Sequence, residues 1–195
     1  MALSKPSQMF YNLAAAYFDQ LYTHPLRTKA LTSCVIAALG NYVSQHIVGV
    51  KKISEDSILA FGLFGLLFGG PLPHYFYQYV FKLVKNPYGV LLIERLIYTP
   101  CFQALSLYLL SRFEGKTHAA ASEQLKKLYL PVLAANLEII TLLQYINIKF
   151  VPPMLRVLVS NLIGFFWVIY LAKKRARAAT AKDCPEKKKP GIDRR

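Results

Sequence analysis

The chain has 195 residues, of which 54% are hydrophobic, 13% aromatic and 17% charged, with a formal net charge of +14. Soluble domains carry about 25% charged residues, so this composition points to an integral membrane protein and excludes a soluble globular domain or a soluble enzyme. At about 20 apolar residues per crossing, the length holds four or five helical spans and no second large domain.

At the N-terminus Phe10, Leu13, Ala14, Tyr17, Phe18 and Leu21 recur at spacings of three and four, which predicts one apolar helical face. The stretch is too short to cross and is broken by Pro25, so it reads as a helix in the membrane interface or packed on the bundle. It shows neither a secretory signal nor a transit peptide. The first span, 29–50, is apolar through Leu39 and then carries Gly40, Asn41, Ser44, Gln45 and His46. Polar groups in hydrocarbon need internal partners, so this half should face other helices or water. Asn41 and Gln45, four apart, share a face, which suits interhelical hydrogen bonds first and solute recognition second.

After a charged loop at Lys51, Lys52, Glu55 and Asp56, the second span covers 58–81. Gly65 and Gly69 form a small-xxx-small pair that would let a neighbouring backbone approach. The run Gly70 Pro71 Leu72 Pro73 predicts a kink, because proline lacks a backbone donor and clashes with the preceding turn. His74, Tyr75, Phe76, Tyr77 and Tyr79 follow as an aromatic belt at the interface.

The third span, 88–113, carries Glu94 and Arg95 near its start and Pro100 in its middle. Successive helical positions lie about 100° apart, so each charge is expected to pair with a group on another helix. A polar connector, 114–127, reads as a surface helix. Two apolar stretches remain, 128–151 and 154–171, separated by Pro152 and Pro153. The former holds Pro131, Asn136, Glu138, Gln144, Asn147 and Lys149, which leaves a buried helix, a re-entrant segment or a tilted span lining water. The latter holds Arg156, Ser160 and Asn161 and reads as a span.

The expected fold is thus an all-α integral membrane protein. It is a compact bundle of about four transmembrane helices, with an interfacial N-terminal helix and a polar penultimate helix. Residues 1–172 form the single bundle, and 173–195 a basic, disordered tail. Four crossings place the N-terminus, the basic turn at 82–85 and the tail on one side, in better agreement with the positive-inside bias than five. Lys173, Lys174, Arg175 and Arg177 read as the cytosolic flank of a span. They are not a nucleic-acid footprint, because no zinc-finger, RRM or basic-zipper pattern accompanies them.

Catalytic chemistry finds little purchase. Cys34, Cys101 and Cys184 are odd in number and far apart, which argues against a disulfide framework or a zinc site. His24, His46, His74 and His118 stand in four different segments, and the glycines of the second span lack the lysine and hydroxyl of a phosphate loop. No catalytic residue, metal or cofactor is expected. The functional candidates are ionisable groups near or within apolar stretches, since a charge at the bilayer centre costs at least about 2.5 kcal/mol. Glu94, Arg95, Glu138, Lys149 and Arg156 are such groups, with structural pairing or snorkelling as the alternative to lining a pore.

Four blocks then carry a resemblance: 22–32 with Gly40, Asn41 and Gln45; 69–75 with Tyr77; Glu94 and Arg95 with Thr99 and Pro100; and 144–147 through to Trp167 and Leu171. In the last block Gln144, Asn147, Val151, Pro152, Arg156, Asn161, Trp167, Tyr170 and Leu171 fall at matching spacings. The chain resembles the peroxisomal membrane protein 2 family and its mitochondrial inner-membrane relatives over nearly its whole length. Asn41 is similar to the peroxisomal branch, where many other members have aspartate. Three departures stand out: Leu130, Leu137 and Ile140 stand in the family's tryptophan-rich approach to Gln144, Leu142 replaces the proline usually two residues before Gln144, and Glu138 stands where the peroxisomal branch tends to carry arginine. The resemblance implies a small helical channel for passive diffusion of small water-soluble metabolites across the peroxisomal membrane. The alternative is a non-conducting scaffold, or the mitochondrial inner membrane as the address. Pore-lining or polar-network candidates are Asn41, Gln45, His74, Glu94, Arg95, Glu138, Gln144, Asn147 and Arg156. Packing and kink candidates are Gly65, Gly69, Gly70, Pro71, Pro100 and Pro152. Expected partners are the lipid bilayer, the permeating metabolites, a membrane-protein import receptor and further copies of the chain.

Overall fold

The computed structural model describes residues 5–49, 53–151 and 153–183. Among the described residues every regular element is helical. The helices are α1 (Lys5–Thr23), α2 (Pro25–Val48), α3 (Glu55–Leu83), α4 (Pro87–Ile93 continuing through Glu94–Tyr98 into Thr99–Phe113), α5 (His118–Ala135, Asn136–Ile140 and Thr141–Phe150) and α6 (Pro153–Asp183). Of these, α3, α4 and α5 are long and apolar enough to cross a membrane, and α2, with 24 residues, spans about 36 Å at 1.5 Å per residue. Large apolar side chains lie exposed along the helices of the bundle, among them Leu31, Val35 and Leu39 on α2, Leu63 and Leu67 on α3, Leu96 on α4, Leu142 on α5 and Phe166 on α6. Such faces suit a hydrocarbon solvent.

Each of the three long helices α3, α4 and α5 contains one π-helical turn, at Gly65–Gly69, Glu94–Tyr98 and Asn136–Ile140. Two of them have a sequence cause. Pro71 and Pro100 each follow the end of a turn by two residues, and the intervening amides bond five residues back, Gly70 to Gly65 and Thr99 to Glu94. A proline ring clashes with the carbonyl four residues earlier and donates nothing, so one wider turn just before it shifts the bonding ladder and keeps the helix continuous. The kink predicted at 70–73 is therefore a bulge within one continuous helix. The third turn occupies the same register with Leu142 in the place of a proline, and there the Thr141 amide bonds to Glu138 instead.

The bulge in α3 also changes which glycines matter. A Cβ on Gly65 would lie 2.4 Å from the Ser33 carbonyl oxygen and one on Gly70 2.5 Å from the Ala30 Cα, whereas Gly69 has ordinary room. The π turn brings positions five apart onto one face, so the close approach to α2 is made by Gly65 and Gly70, one residue off the expected pair.

Three further expectations change. The connector 114–127 is not a separate surface helix: after the turn at 114–117, residues 118–127 form the first turns of α5, with Ala121 and Gln124 buried, because Ala121, Leu125 and Leu128 continue one apolar face. The penultimate stretch is accordingly one continuous helix, not a re-entrant segment. Because it contributes its own passage, the C-terminal end of α6 lies with the α4–α5 turn, where Arg175 meets Glu114, and away from the basic turn at 82–85. Residues 173–183 of the expected disordered tail are helical, since Leu171, Ala172 and Arg175 prolong the buried face of α6. The interior is built from Phe61, Phe64, Leu107, Leu110, Leu128, Val132 and Leu171. Helix α1 adds little to it. Its Met9, Leu13 and Phe18 are exposed, and it is tied to α2 by Thr28 Oγ1 donating to the Gln20 carbonyl at 2.9 Å.

Candidate functional site

Polar side chains gather in two places inside the bundle. The first is its middle layer, where the π turns of α4 and α5 face each other. Arg95 donates through Nη2 to Glu94 Oε1 at 2.9 Å and through Nη1 to Asn136 Oδ1 at 3.1 Å, and Tyr77 Oη of α3 donates to Glu94 Oε2 at 2.7 Å. Neighbours in sequence do not face each other on an α-helix. Here the wider π turn and the long arginine stem bring Glu94 and Arg95 together, while each also reaches a second helix as expected. Arg95 is only 7% exposed, so its charge depends on these bonds. Below it Gln103 Nε2 donates to Ser106 Oγ at 3.2 Å. A cavity of about 210 Å³ opens among these groups, walled by Phe61, Phe64, Tyr98 and Trp167. Arg95 Nε and Tyr98 Oη, both buried, have no partner among the described residues.

The second place is the end of the bundle where α4 turns into α5. Arg175 of α6 donates to Glu114 Oε2 at 2.8 Å and to Ser111 Oγ at 3.4 Å. Glu114 also accepts from Lys116 Nζ at 2.8 Å and Ser57 Oγ at 3.1 Å. Ser111 donates to Gln124 Oε1 at 3.0 Å, which brings in α5. From α2, Asn41 Nδ2 donates to Ser57 Oγ at 3.1 Å, and Asn41 Oδ1 accepts from Gln45 Nε2 at 2.7 Å. The Gln45 amide pairs with both backbone groups of Ser54, at 2.6 and 3.1 Å, and Ser54 in turn caps α3. Asn41, Gln45, Ser57, Glu114, Lys116 and Arg175 border a cavity of about 330 Å³. Burial by itself would raise the Glu114 carboxyl, but Arg175, with Lys116 and Ser57, outweighs it and holds the group below the usual carboxylate range.

Of the residues singled out in the sequence, Glu94 and Arg95 thus sit in the middle layer, and Asn41 and Gln45 at the α4–α5 end. His74 is half-buried at the opposite end, 3.3 Å from Lys29 Nζ and from Gln78 Nε2. Asn147 is buried with its Nδ2 3.5 Å from Gln144 Oε1. Glu138 is exposed on the outer side of α5, apart from both cavities. Pro152 and the Arg156 side chain lie outside the described residues. Sequence reading missed Arg175, Glu114, Lys116, Ser57, Ser111 and Gln124 at the end, and Gln103 in the middle, and noted Asn136 only as a polar interruption of 128–151. The signal for Arg175 was its place four residues after Leu171 and three after Ala172, which keeps it on the buried face although it belongs to a basic run. Among the described residues no group of three or more His, Cys, Asp or Glu is placed to hold a metal.

Comparison with known proteins bears on this arrangement. The sequence profile of the Mpv17 / PMP22 family matches residues 111–172, a stretch that begins at Ser111 and ends just before the Arg175 turn. Peroxisomal membrane protein 2 of Bos taurus is 33% identical over 168 residues, covering 80% of this chain and 86% of that protein. PXMP2/4 family protein 3 of Dictyostelium discoideum is 34% identical over 181 residues, covering 88% and 96%. The mitochondrial inner membrane protein Mpv17 of Caenorhabditis elegans is 25% identical, covering 78% and 87%. No solved structure matches.

Proposed function

The chain belongs to the Mpv17 / PMP22 family, and from that premise we propose that it is a passive, weakly selective channel for small water-soluble metabolites in the peroxisomal membrane. The observation that carries the reading is the two groups of polar side chains inside the bundle: Glu94, Arg95, Asn136, Gln103 and Ser106 in the middle layer, and Asn41, Gln45, Ser57, Glu114 and Arg175 at the α4–α5 end. Polar groups inside a membrane helix bundle mark solute paths or interhelical bonds. Here they border two cavities instead of filling a dry interface. The free donors of Arg95 and Tyr98 can bond a hydrated solute, and the 210 Å³ of the middle cavity corresponds to about seven waters at 30 Å³ each.

Two of the relatives named above are called membrane proteins, and the reading is of a path, not a catalyst. Two carry an organelle in their names, one peroxisomal and one mitochondrial, and the higher identity lies with the peroxisomal one. Assembly of several copies and delivery by an import receptor belong to this reading. By the positive-inside bias, the Arg175 end faces the cytosol and the 82–85 turn the organelle interior. Reconstitution of the pure protein into planar bilayers tests the function. Stepwise conductance is expected in the presence of small organic anions or cations. A preparation that stays silent across voltages and solutes overturns the channel and leaves a scaffold.

A further inference from the structure

The two cavities do not merge, and one side chain divides them. Phe61 of α3 lines both the middle cavity and the end cavity, and among the described residues no other side chain does. It is 3% exposed, with Leu107, Leu110 and Leu171 in the same apolar cluster. The guanidinium carbon of Arg175 lies 5.5 Å from the centre of its ring. Arg175 is itself held by Glu114 and Ser111, and its Nε and Nη1 have no hydrogen-bond partner among the described residues. A planar cation over an aromatic face is attracted by the ring's negative centre, which compensates in part for those unmade bonds and fixes the ring in place.

We propose that Phe61 is the size-limiting barrier between the two cavities and that Arg175 is its positioning residue. The inference rests on the channel reading above. An apolar constriction between two polar chambers excludes water and therefore solutes; moving or removing one ring joins the chambers. The surrounding leucines cannot take this role because none of them lines both chambers. Arginine is required over lysine, since a compact, strongly hydrated ammonium does not stack on a ring as a guanidinium does.

The test uses the full chain in liposomes and a graded series of neutral probes: glycerol, sorbitol, sucrose and raffinose. Neutral solutes remove the electrostatic influence of Glu114 and Arg175 on entry. Phe61→Ala is expected to shift the exclusion limit upward by at least one member of the series, and Phe61→Leu, which keeps a branched apolar side chain in the core, to shift it less. The leucine variant carries the test where the alanine variant does not assemble. Arg175→Lys should move the limit in the same direction as Phe61→Ala and add nothing when combined with it. Leu128→Ala, a truncation in the same apolar core that lines neither cavity, should leave the limit where it is. An unchanged limit in both Phe61 variants, with a conducting parent, overturns the barrier alone. An equal shift in Leu128→Ala overturns it in favour of general core loosening. A parent that passes no probe overturns the channel reading and the barrier with it.

Discussion

The middle layer and the α4–α5 end of the bundle both bury an arginine against a glutamate, yet they arrive there by different means. Glu94 and Arg95 are neighbours in sequence and meet because α4 widens into a π turn. Glu114 and Arg175 are 61 positions apart and meet because the C-terminal end of α4 lies beside α6, which runs on to Asp183. The middle pair therefore holds α4 to itself, with single bonds outward to Tyr77 and Asn136. The end pair is a tertiary clasp that joins α4 to α6, reaches α3 through Ser57 and reaches α5 through Ser111 and Gln124. A polar group supplied by local backbone irregularity can be tuned without disturbing the fold, whereas one supplied by long-range packing is part of the fold.

The sharpest way to break this contrast is Arg175→Ala. It leaves Glu114 buried with Lys116 as its remaining cation, and removing one partner of a buried pair costs about 3–5 kcal/mol. Denaturant unfolding in detergent micelles, followed by the helical circular dichroism signal, should show a loss of this order. A loss below about 1 kcal/mol would mean that the clasp is not structural. Acid should have a smaller effect in the same place. Because the folded Glu114 carboxyl is held below its ordinary value, the unfolded chain binds the proton at higher pH than the folded one. The stabilisation is then fully present above the ordinary carboxylate range and is lost as pH falls through the depressed folded value. Thermal melting across that range should decline with acid in the parent, and less steeply in Glu114→Gln.

The contrast also decides what could be read from the sequence. Membrane class, helical fold and the polar halves of the spans were legible, because apolar run length and inward polar residues follow directly from the bilayer as solvent. Glu94 and Arg95 were visible as charges in an apolar run, and Asn41 and Gln45 as a polar pair on one face. Arg175 was not, since in a run of Lys173, Lys174 and Arg177 nothing local marks one charge as buried; only the phase of α6 carried from Leu171 does. Glu114 and Lys116 likewise looked like part of a surface helix. The third π turn, which presents Asn136, had no proline to announce it, and Leu142 gave no sign that the ladder would still shift.

The middle layer is tested by its register. If the π turn of α3 sets which face meets α2, two glycines four residues apart should respond oppositely to the same methyl group. Gly65→Ala drives a Cβ into the Ser33 carbonyl and must separate the two backbones, an overpacking cost of about 1–3 kcal/mol. Gly69→Ala meets only ordinary contacts and gains the helix preference of alanine, about 0.5–1 kcal/mol. The smallest expected effect is thus a stabilisation, read as a modest rise in melting temperature in the same micelles. A regular α-helix through this stretch would place Gly69, not Gly70, on the face of Gly65. Destabilisation by both alanines would therefore remove the π turn, and with it the account of how Pro71 is accommodated without breaking α3.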